Sequence, residues 1–93
     1  MTNLIPNPSP RWDRQQIRAA RQAPLLPLLE KRRLQLCEGN GGNYEVLAYP
    51  GLVIKDNYWH WPQRNLAGNT IDFHVQILGL SFDHAMREIH AAS

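Results

Sequence analysis

Apolar residues recur at helical spacing in the N-terminal third of the chain. The segment RWDRQQIRAARQ (11–22) predicts a first helix, whose inward stripe consists of Trp12, Ile17, Ala20 and Ala23. Pro24 disfavours the helical conformation at the residue before it and therefore ends this helix. The segment PLLPLLEKRR (24–33) predicts a second, short helix, because its two prolines fit within a first turn unless a kink lies between them. Its expected core residues are Leu25, Leu28 and Leu29.

The middle of the chain has the alternation and the turn residues of β-strands. We predict strands at 34–37, 44–49, 52–54 and 58–61. The turns between them are EGNGGN, whose glycines permit positive φ, then Pro50-Gly51 and Lys55-Asp56-Asn57. In the second strand, Tyr44, Val46 and Ala48 are expected on one side. The pattern indicates a small antiparallel sheet of three or four strands.

The C-terminal third is predicted to be helical again. Asn69 or Thr70 can cap a helix over 71–78, and Gly79 suits the position that ends it. Ser81 can cap a last helix in FDHAMREIHA (82–91), whose expected apolar stripe is Phe82, Ala85, Met86 and Ile89. Two helices, a small sheet and two more helices predict an α+β fold.

Length and composition limit what such a chain can be. Its 93 residues, 43% of them hydrophobic, suffice for one domain with one modest core, which we place at 11–93. Residues 1–10 carry three prolines and are expected to form a flexible arm. The apolar runs are shorter than the ~20 residues of a membrane span, and the N-terminus lacks the pattern of a signal peptide. We therefore expect a cytoplasmic protein.

Few residues suit catalysis or metal binding. The single cysteine, Cys37, can form neither an internal disulfide nor a cysteine-rich zinc site, and is expected to be a half-buried strand residue. None of the four histidines forms a His-x-x-x-His pair on one helix. The turn EGNGGN lacks the Lys-Ser/Thr of a phosphate-binding loop. We expect no catalytic residue, no metal and no cofactor.

Positive charge is concentrated near the N-terminus. Residues 11–33 carry a net charge of +5, whereas the rest of the chain carries −3. The first helix places Arg11, Arg14, Arg18 and Arg21 on one outward face. Such a face can contact a phosphate backbone or can simply be solvated. The basic run Lys31-Arg32-Arg33 lies near a helix C-terminus, where the helix dipole alone favours cations.

The segment YWHW (58–61) holds two of the three tryptophans. In a strand, Trp59 and Trp61 point to one face and Tyr58 and His60 to the other. We expect Trp61 inside. Exposed Tyr58 and His60, beside Lys55 and Arg64, can stack on single-stranded bases while the cations meet phosphates. Alternatively, most of these rings serve to pack the sheet.

The segment AGNTIDFHVQILGLSFDHAMREI (67–89) resembles the helical segment that follows the zinc ribbon at the N-terminus of bacterial replicative primases. In that family the order is aromatic-His-Cys-x-x-Cys, Gly-Gly-Asn/Asp-x-Ile-x-Phe and Leu-Ser-Phe-x-x-Ala. Here Ile71-Asp72-Phe73 and Leu80-Ser81-Phe82 match directly, and Ala67-Gly68-Asn69 falls on the glycine turn. The chain is also similar, over about 12–91, to metal-free versions in Toprim-containing primase-like proteins of plasmids and integrative elements, which start with a Trp-led and then a Leu-rich helix.

The zinc ligands of the family are not matched. Trp61 and Arg64 stand at the downstream cysteine positions, and residues 42–48, where the upstream pair belongs, contain no cysteine or histidine. We therefore expect a zinc-free domain in which Trp59 and Trp61 fill the core.

The resemblance implies a non-catalytic module that binds single-stranded DNA in a primase-like replication protein. Synthesis belongs to a separate Toprim domain, so we expect these residues to be part of a longer protein, with that catalytic domain or other replication proteins as further partners. The candidate DNA-binding residues are Arg14, Arg18, Arg21, Lys55, Tyr58, His60 and Arg64. The alternative is a protein-interaction module that keeps the primase-like fold without binding DNA.

Overall fold

The computed structural model describes residues 12–92, so the predicted arm at 1–10 and Arg11 lie outside the described residues. Four α-helices are found in this part of the chain: α1 (Arg14–Gln22), α2 (Leu25–Lys31), α3 (Thr70–Asp72) and α4 (Phe82–Ala91). Its five strands are β1 (Leu36–Glu38), β2 (Tyr44–Val46), β3 (Val53–Lys55), β4 (Tyr58–Trp61) and β5 (Leu66–Gly68). The α+β class is confirmed, with one strand more than predicted.

The strands form one antiparallel sheet in the order β1-β2-β3-β4-β5. Because side chains alternate along a strand, the register divides the sheet into two faces. The covered face carries Val46, Ile54 and Trp59 against the helices. The other, which we call the open face, consists of Cys37, Glu45, Val53, Lys55, Tyr58, His60 and Ala67. None of the open-face side chains belongs to a hydrophobic core cluster of the described residues.

The core has two neighbouring parts. In the first, Leu25 and Leu29 of α2 pack with Phe73 on the covered face of the sheet. Trp59 is its largest member: the ring is fully buried, meets Phe73 edge-on at 5.9 Å, and its indole N–H donates to the carbonyl of Asn69 across 2.8 Å. The second part joins the four helices through Ala20, Leu28, Ile71, Met86 and Ile89. The helices are thus held on one side of the sheet.

The helix ends follow the predicted chemistry. Asp13 caps α1 in a reciprocal capping box with Gln16, and Ala23 leaves the helical conformation before Pro24. Asn69 caps α3 in the same reciprocal way with Asp72, and Ser81 caps α4. Gly79 follows the C-terminal helical residue Leu78 with φ +75°, as predicted for the residue that ends a helix.

Two elements differ from the sequence prediction. The helix expected over 71–78 is α-helical only in α3 and continues as a π-helical turn at Phe73–Ile77. Residues 66–68, expected to be a loop, form β5, because Leu66 and Gly68 lie opposite Trp61 and Trp59 of the neighbouring strand.

Four side chains are more exposed than their predicted positions indicate. Ala48 is exposed because β2 ends at Val46 and the chain turns there, with the Tyr49 N–H donating to the Val46 carbonyl. Cys37 is exposed because Leu36 takes the covered side of β1. Phe82 is 45% exposed at the first position of α4. Trp61 is only half-buried, at the end of β4.

Within residues 12–92, no helix is long and apolar enough to cross a membrane.

Candidate nucleic-acid interface

The β3–β4 hairpin presents a cation and an aromatic ring side by side. Lys55 and Tyr58 are directly opposite each other at its end, and Asp56 between them adopts φ +53°, a conformation that aspartate tolerates better than most residues. Tyr58 is 53% exposed. His60, also exposed, follows two residues later, which on one strand face means a separation of roughly 6.5–7 Å. The hairpin therefore carries two exposed rings, Tyr58 and His60, next to each other on one face of β4.

The second group of predicted residues lies on α1. Arg14, Arg18 and Arg21 are all exposed and, with Ile17 between them, line a shallow concave surface. No carboxylate of residues 12–92 lies within ion-pair distance of any of the three, whereas Arg32 and Arg87 are paired with Glu88 and Asp83. The helix thus displays three positive charges that this part of the chain leaves unpaired.

Two hydrogen bonds join the hairpin turn to the helices, one to the end of α1 and one to the start of α2. The side-chain amide of Asn57 donates to the main-chain carbonyl of Arg21 across 3.0 Å, and the N–H of Leu25 donates to the carbonyl of Asp56 across 2.8 Å. These contacts fix the hairpin turn against the junction of α1 and α2. They place the main chain of Arg21, at the C-terminal end of α1, beside the turn that joins Lys55 and Tyr58.

We call Arg14, Arg18, Arg21, Lys55, Tyr58 and His60 the basic-aromatic surface. It comprises six of the seven residues predicted from the sequence, in two groups whose main chains are linked by the contact of Asn57 with Arg21. Asn57, which ties its two halves together, was not predicted, because a polar residue in a turn gives no sign of a distant partner.

Arg64, the seventh residue, lies at the other end of β4. Its guanidinium stands over the ring of Trp61, 5.0 Å from the ring centre. Trp61 in turn meets Tyr49 edge-on at 5.6 Å, and its indole N–H donates to the carbonyl of Pro50 across 3.0 Å. Arg64 is therefore engaged in packing the β2–β3 turn, and the structure does not join it to the other six residues.

The residues at this end of the sheet do not fit a zinc site. Trp61 and Arg64 contact each other there, and residues 42–48 contribute neither cysteine nor histidine. Across the described residues, no three side chains among His, Cys, Asp and Glu are grouped as metal ligands.

A polar cluster between the π-helical turn and α4 was not predicted from the sequence; it consists of His74, Thr70 and Glu88. His74, in the π-helical turn, is fully buried, with Nδ1 2.8 Å from the Thr70 carbonyl and Nε2 3.7 Å from a Glu88 carboxylate oxygen. Burial lowers the pKa of His74, and hydrogen bonds from Arg32 lower the pKa of Glu88. Nε2 has no hydrogen-bond partner among the described residues. Helical periodicity cannot reveal this cluster, because Glu88 belongs to a different helix from His74 and the two meet only in the folded chain.

The chain matches no protein-family model, no curated protein and no solved structure.

Proposed function

We propose that this chain is a non-catalytic module that binds single-stranded nucleic acid, specifically single-stranded DNA in a primase-like replication protein. The observation that carries the proposal is the contact between Asn57 and Arg21. Through it, α1, whose three arginines form no ion pair within residues 12–92, adjoins the hairpin that carries Lys55 and Tyr58.

The basic-aromatic surface has the two components that such binding requires. Arginine and lysine side chains attract the phosphates and release counterions, which makes binding depend on salt. Aromatic faces stack on bases irrespective of their sequence. Tyr58 and His60 can stack only on bases that are not already stacked within a duplex, so the open face favours single strands.

The proposed relation to primases rests on the segment 67–89 and on the replacement of two cysteine positions by Trp61 and Arg64. We infer that the packing of Trp61 with Tyr49, Pro50 and Arg64 holds together two turns that a zinc ion would otherwise join. In this proposal, synthesis is carried out by a Toprim domain of the parent protein. The module acts in the cytoplasm with that domain and other replication proteins as partners.

A protein-interaction module without DNA binding is the second candidate. The observation that favours it is the exposed ring of Phe82, which lies beside Ile17 and Val75 and forms an apolar surface that a protein side chain can cover.

The experiment that tests the proposal is an anisotropy titration with a labelled oligothymidylate of about 12 nucleotides, a length within the ~4–16 that one single-strand-binding OB-fold domain covers. It is run at about 50 and 200 mM salt, and repeated with a duplex of the same length. We expect the single strand to bind more tightly than the duplex and the affinity to fall with salt. No binding of the single strand at the lower salt concentration would refute the proposal and favour the interaction module.

A further inference from the structure

A groove runs between α1, the α3 helix with its π-helical turn, and the start of α4. It has a volume of about 440 Å³, within the ~300–1,000 Å³ typical of small-ligand sites. Its lining is partly apolar, with Ile17, Val75 and Phe82, and partly polar, with Arg21, Asn69 and Asp72. The groove is not part of the open face, yet it shares Arg21 and Ile17 with the arginine face of α1.

The exposed ring of Phe82 is carried on a firmly fixed helix end. Ser81 caps α4 by accepting from the N–H of His84, and the indole N–H of Trp12 donates to a carboxylate oxygen of Asp83 across 3.0 Å. Trp12 itself stacks on His90, with ring centres 5.2 Å apart and planes within 7° of parallel. The residue that follows Phe82 is thus held to the segment that precedes α1. The backbone at Phe82 is therefore held in place, with its exposed side chain in the wall of the groove.

The charges of the groove indicate which part of a ligand enters it. The carboxylate of Asp72 is one of its lining groups and is fixed there, since one of its oxygens accepts from the N–H of Asn69 across 3.0 Å. A phosphate or an acidic side chain would be repelled beside this carboxylate. A neutral base, which carries N–H donors and a flat apolar face, is not. Phosphates meet favourable charge on the α1 side, at Arg21 in the wall of the groove and at Arg18 outside it.

We propose that this groove is a nucleobase site, in which Phe82 stacks on one base of a single strand whose phosphates contact Arg18 and Arg21. This inference rests on the proposed function and deepens it, because it adds a base-binding position away from the open face. In this proposal the DNA strand crosses the arginine face of α1. Phe82 lies on one side of its path and the Lys55–Tyr58 end of the open face lies on the other.

The test compares three variants in the oligothymidylate titration. Phe82→Ala removes the ring, and Phe82→Tyr retains it. Leu47→Ala is the matched control, because Leu47 is a large apolar side chain of nearly equal exposure, 48%, in the turn after β2. We expect Phe82→Ala to bind about tenfold more weakly, which is within the range for loss of one stacked base. Phe82→Tyr and Leu47→Ala should bind as the unaltered chain does.

A second measurement uses an oligonucleotide of the same length without bases. Removing the bases should weaken binding to the unaltered chain more than binding to Phe82→Ala. Only the unaltered chain has the Phe82 ring on which a base can stack. If the unaltered chain binds DNA and Phe82→Ala binds equally well, the nucleobase site is overturned while the proposed function stands. If the unaltered chain binds no oligonucleotide, both fall. A peptide of alternating glutamate and leucine that binds the unaltered chain but not Phe82→Ala, with DNA affinity unaffected by the variant, would assign the groove to a protein partner instead.

Discussion

The side-chain amide of Asn57 donates a hydrogen bond to the main-chain carbonyl of Arg21, which precedes it by 36 residues. This bond is exposed, so its loss in Asn57→Ala should lower the free energy of unfolding by about 0.5–1 kcal/mol, as measured by urea denaturation. We also expect weaker binding of the oligothymidylate, because the hairpin is no longer held against α1. The control is Asn40→Ala, in the turn between β1 and β2. Equal DNA affinities for the two variants would show that this contact does not organise the surface.

Lys55 and Arg64 are predicted to differ in their contribution to binding, although both adjoin the aromatic run 58–61. Lys55→Ala should weaken binding and reduce the slope of log affinity against log salt by about 1, because one phosphate contact is lost. Arg64→Ala should leave that slope unchanged, because Arg64 follows the opposite end of β4 from Lys55 and Tyr58, where its guanidinium lies over Trp61. Titrations over a series of salt concentrations measure both slopes. A smaller slope for Arg64→Ala would place Arg64 in the binding site after all.

Tyr58 should contribute to affinity through its ring and not through its hydroxyl. Tyr58→Ala is expected to cost ~1–3 kcal/mol of binding free energy, the range for loss of one base–aromatic stack. Tyr58→Phe should bind as the unaltered chain does. Because Tyr58 is 53% exposed, neither change should alter stability by more than about 0.5 kcal/mol. Binding that survives in Tyr58→Ala without loss would remove the open face from the interface.

The two tryptophans of β4 should respond unequally to the same substitution. Trp59→Phe removes a fully buried indole and its hydrogen bond to the Asn69 carbonyl, which keeps only the Phe73 N–H as a donor, at an expected cost of about 1–3 kcal/mol of unfolding free energy. Trp61→Phe removes a hydrogen bond to Pro50 at an exposed site, and should cost less than about 1 kcal/mol. Urea denaturation of both variants compares them directly. A larger loss for Trp61→Phe would contradict the finding that Trp59 is the buried tryptophan of the core and Trp61 only a half-buried one.

Stability should fall as the pH is lowered from about 7.5 to 5, because of His74. Burial lowers the pKa of His74 in the folded chain below the ~6.5 of the unfolded chain. The unfolded state therefore binds the proton more readily, and protonation favours unfolding below about pH 6.5. The lowered pKa of Glu88 acts in a lower range, because a carboxyl with a depressed pKa loses its contribution only below the ~4.3 of its unfolded state.

The measurement is the melting temperature across this pH range. His74→Gln should flatten the dependence, whereas His84→Gln, which alters an exposed residue of the same region, should leave it as it is. An unchanged dependence in His74→Gln would show that another group is responsible.

Local patterns were sufficient for most of the fold. Pro24, Asn69, Gly79 and Ser81 mark helix ends by chemistry that acts within a few residues, and alternation in YWHW correctly separated Trp59 from Tyr58 and His60. The strand β5 could not be predicted, because Leu-Ala-Gly has little strand preference of its own and is ordered by pairing with β4. Phe82 has the spacing of a core residue, but the stripe is buried only from Ala85 onwards.

The candidate interface was predicted in its residue types more than in its arrangement. Exposed arginines on one helix face and exposed rings on one strand face follow from periodicity alone. Their adjacency depends on Asn57 reaching Arg21, a contact between distant segments. The separation of Arg64 depends likewise on Trp61, whose ring lies between the β2–β3 turn and the guanidinium. Contacts of this kind are set by tertiary packing, which local sequence does not encode.

The most direct test of the central claim is an amide NMR titration of the isotope-labelled chain with the oligothymidylate. If α1 and the open face form one binding surface, resonances of residues 14–21 and 55–60 should shift together, with the same apparent affinity. Residues 31–33, whose basic side chains lie at the end of α2, should change little. Shifts confined to one of the two segments, or concentrated at residues 31–33, would contradict the account.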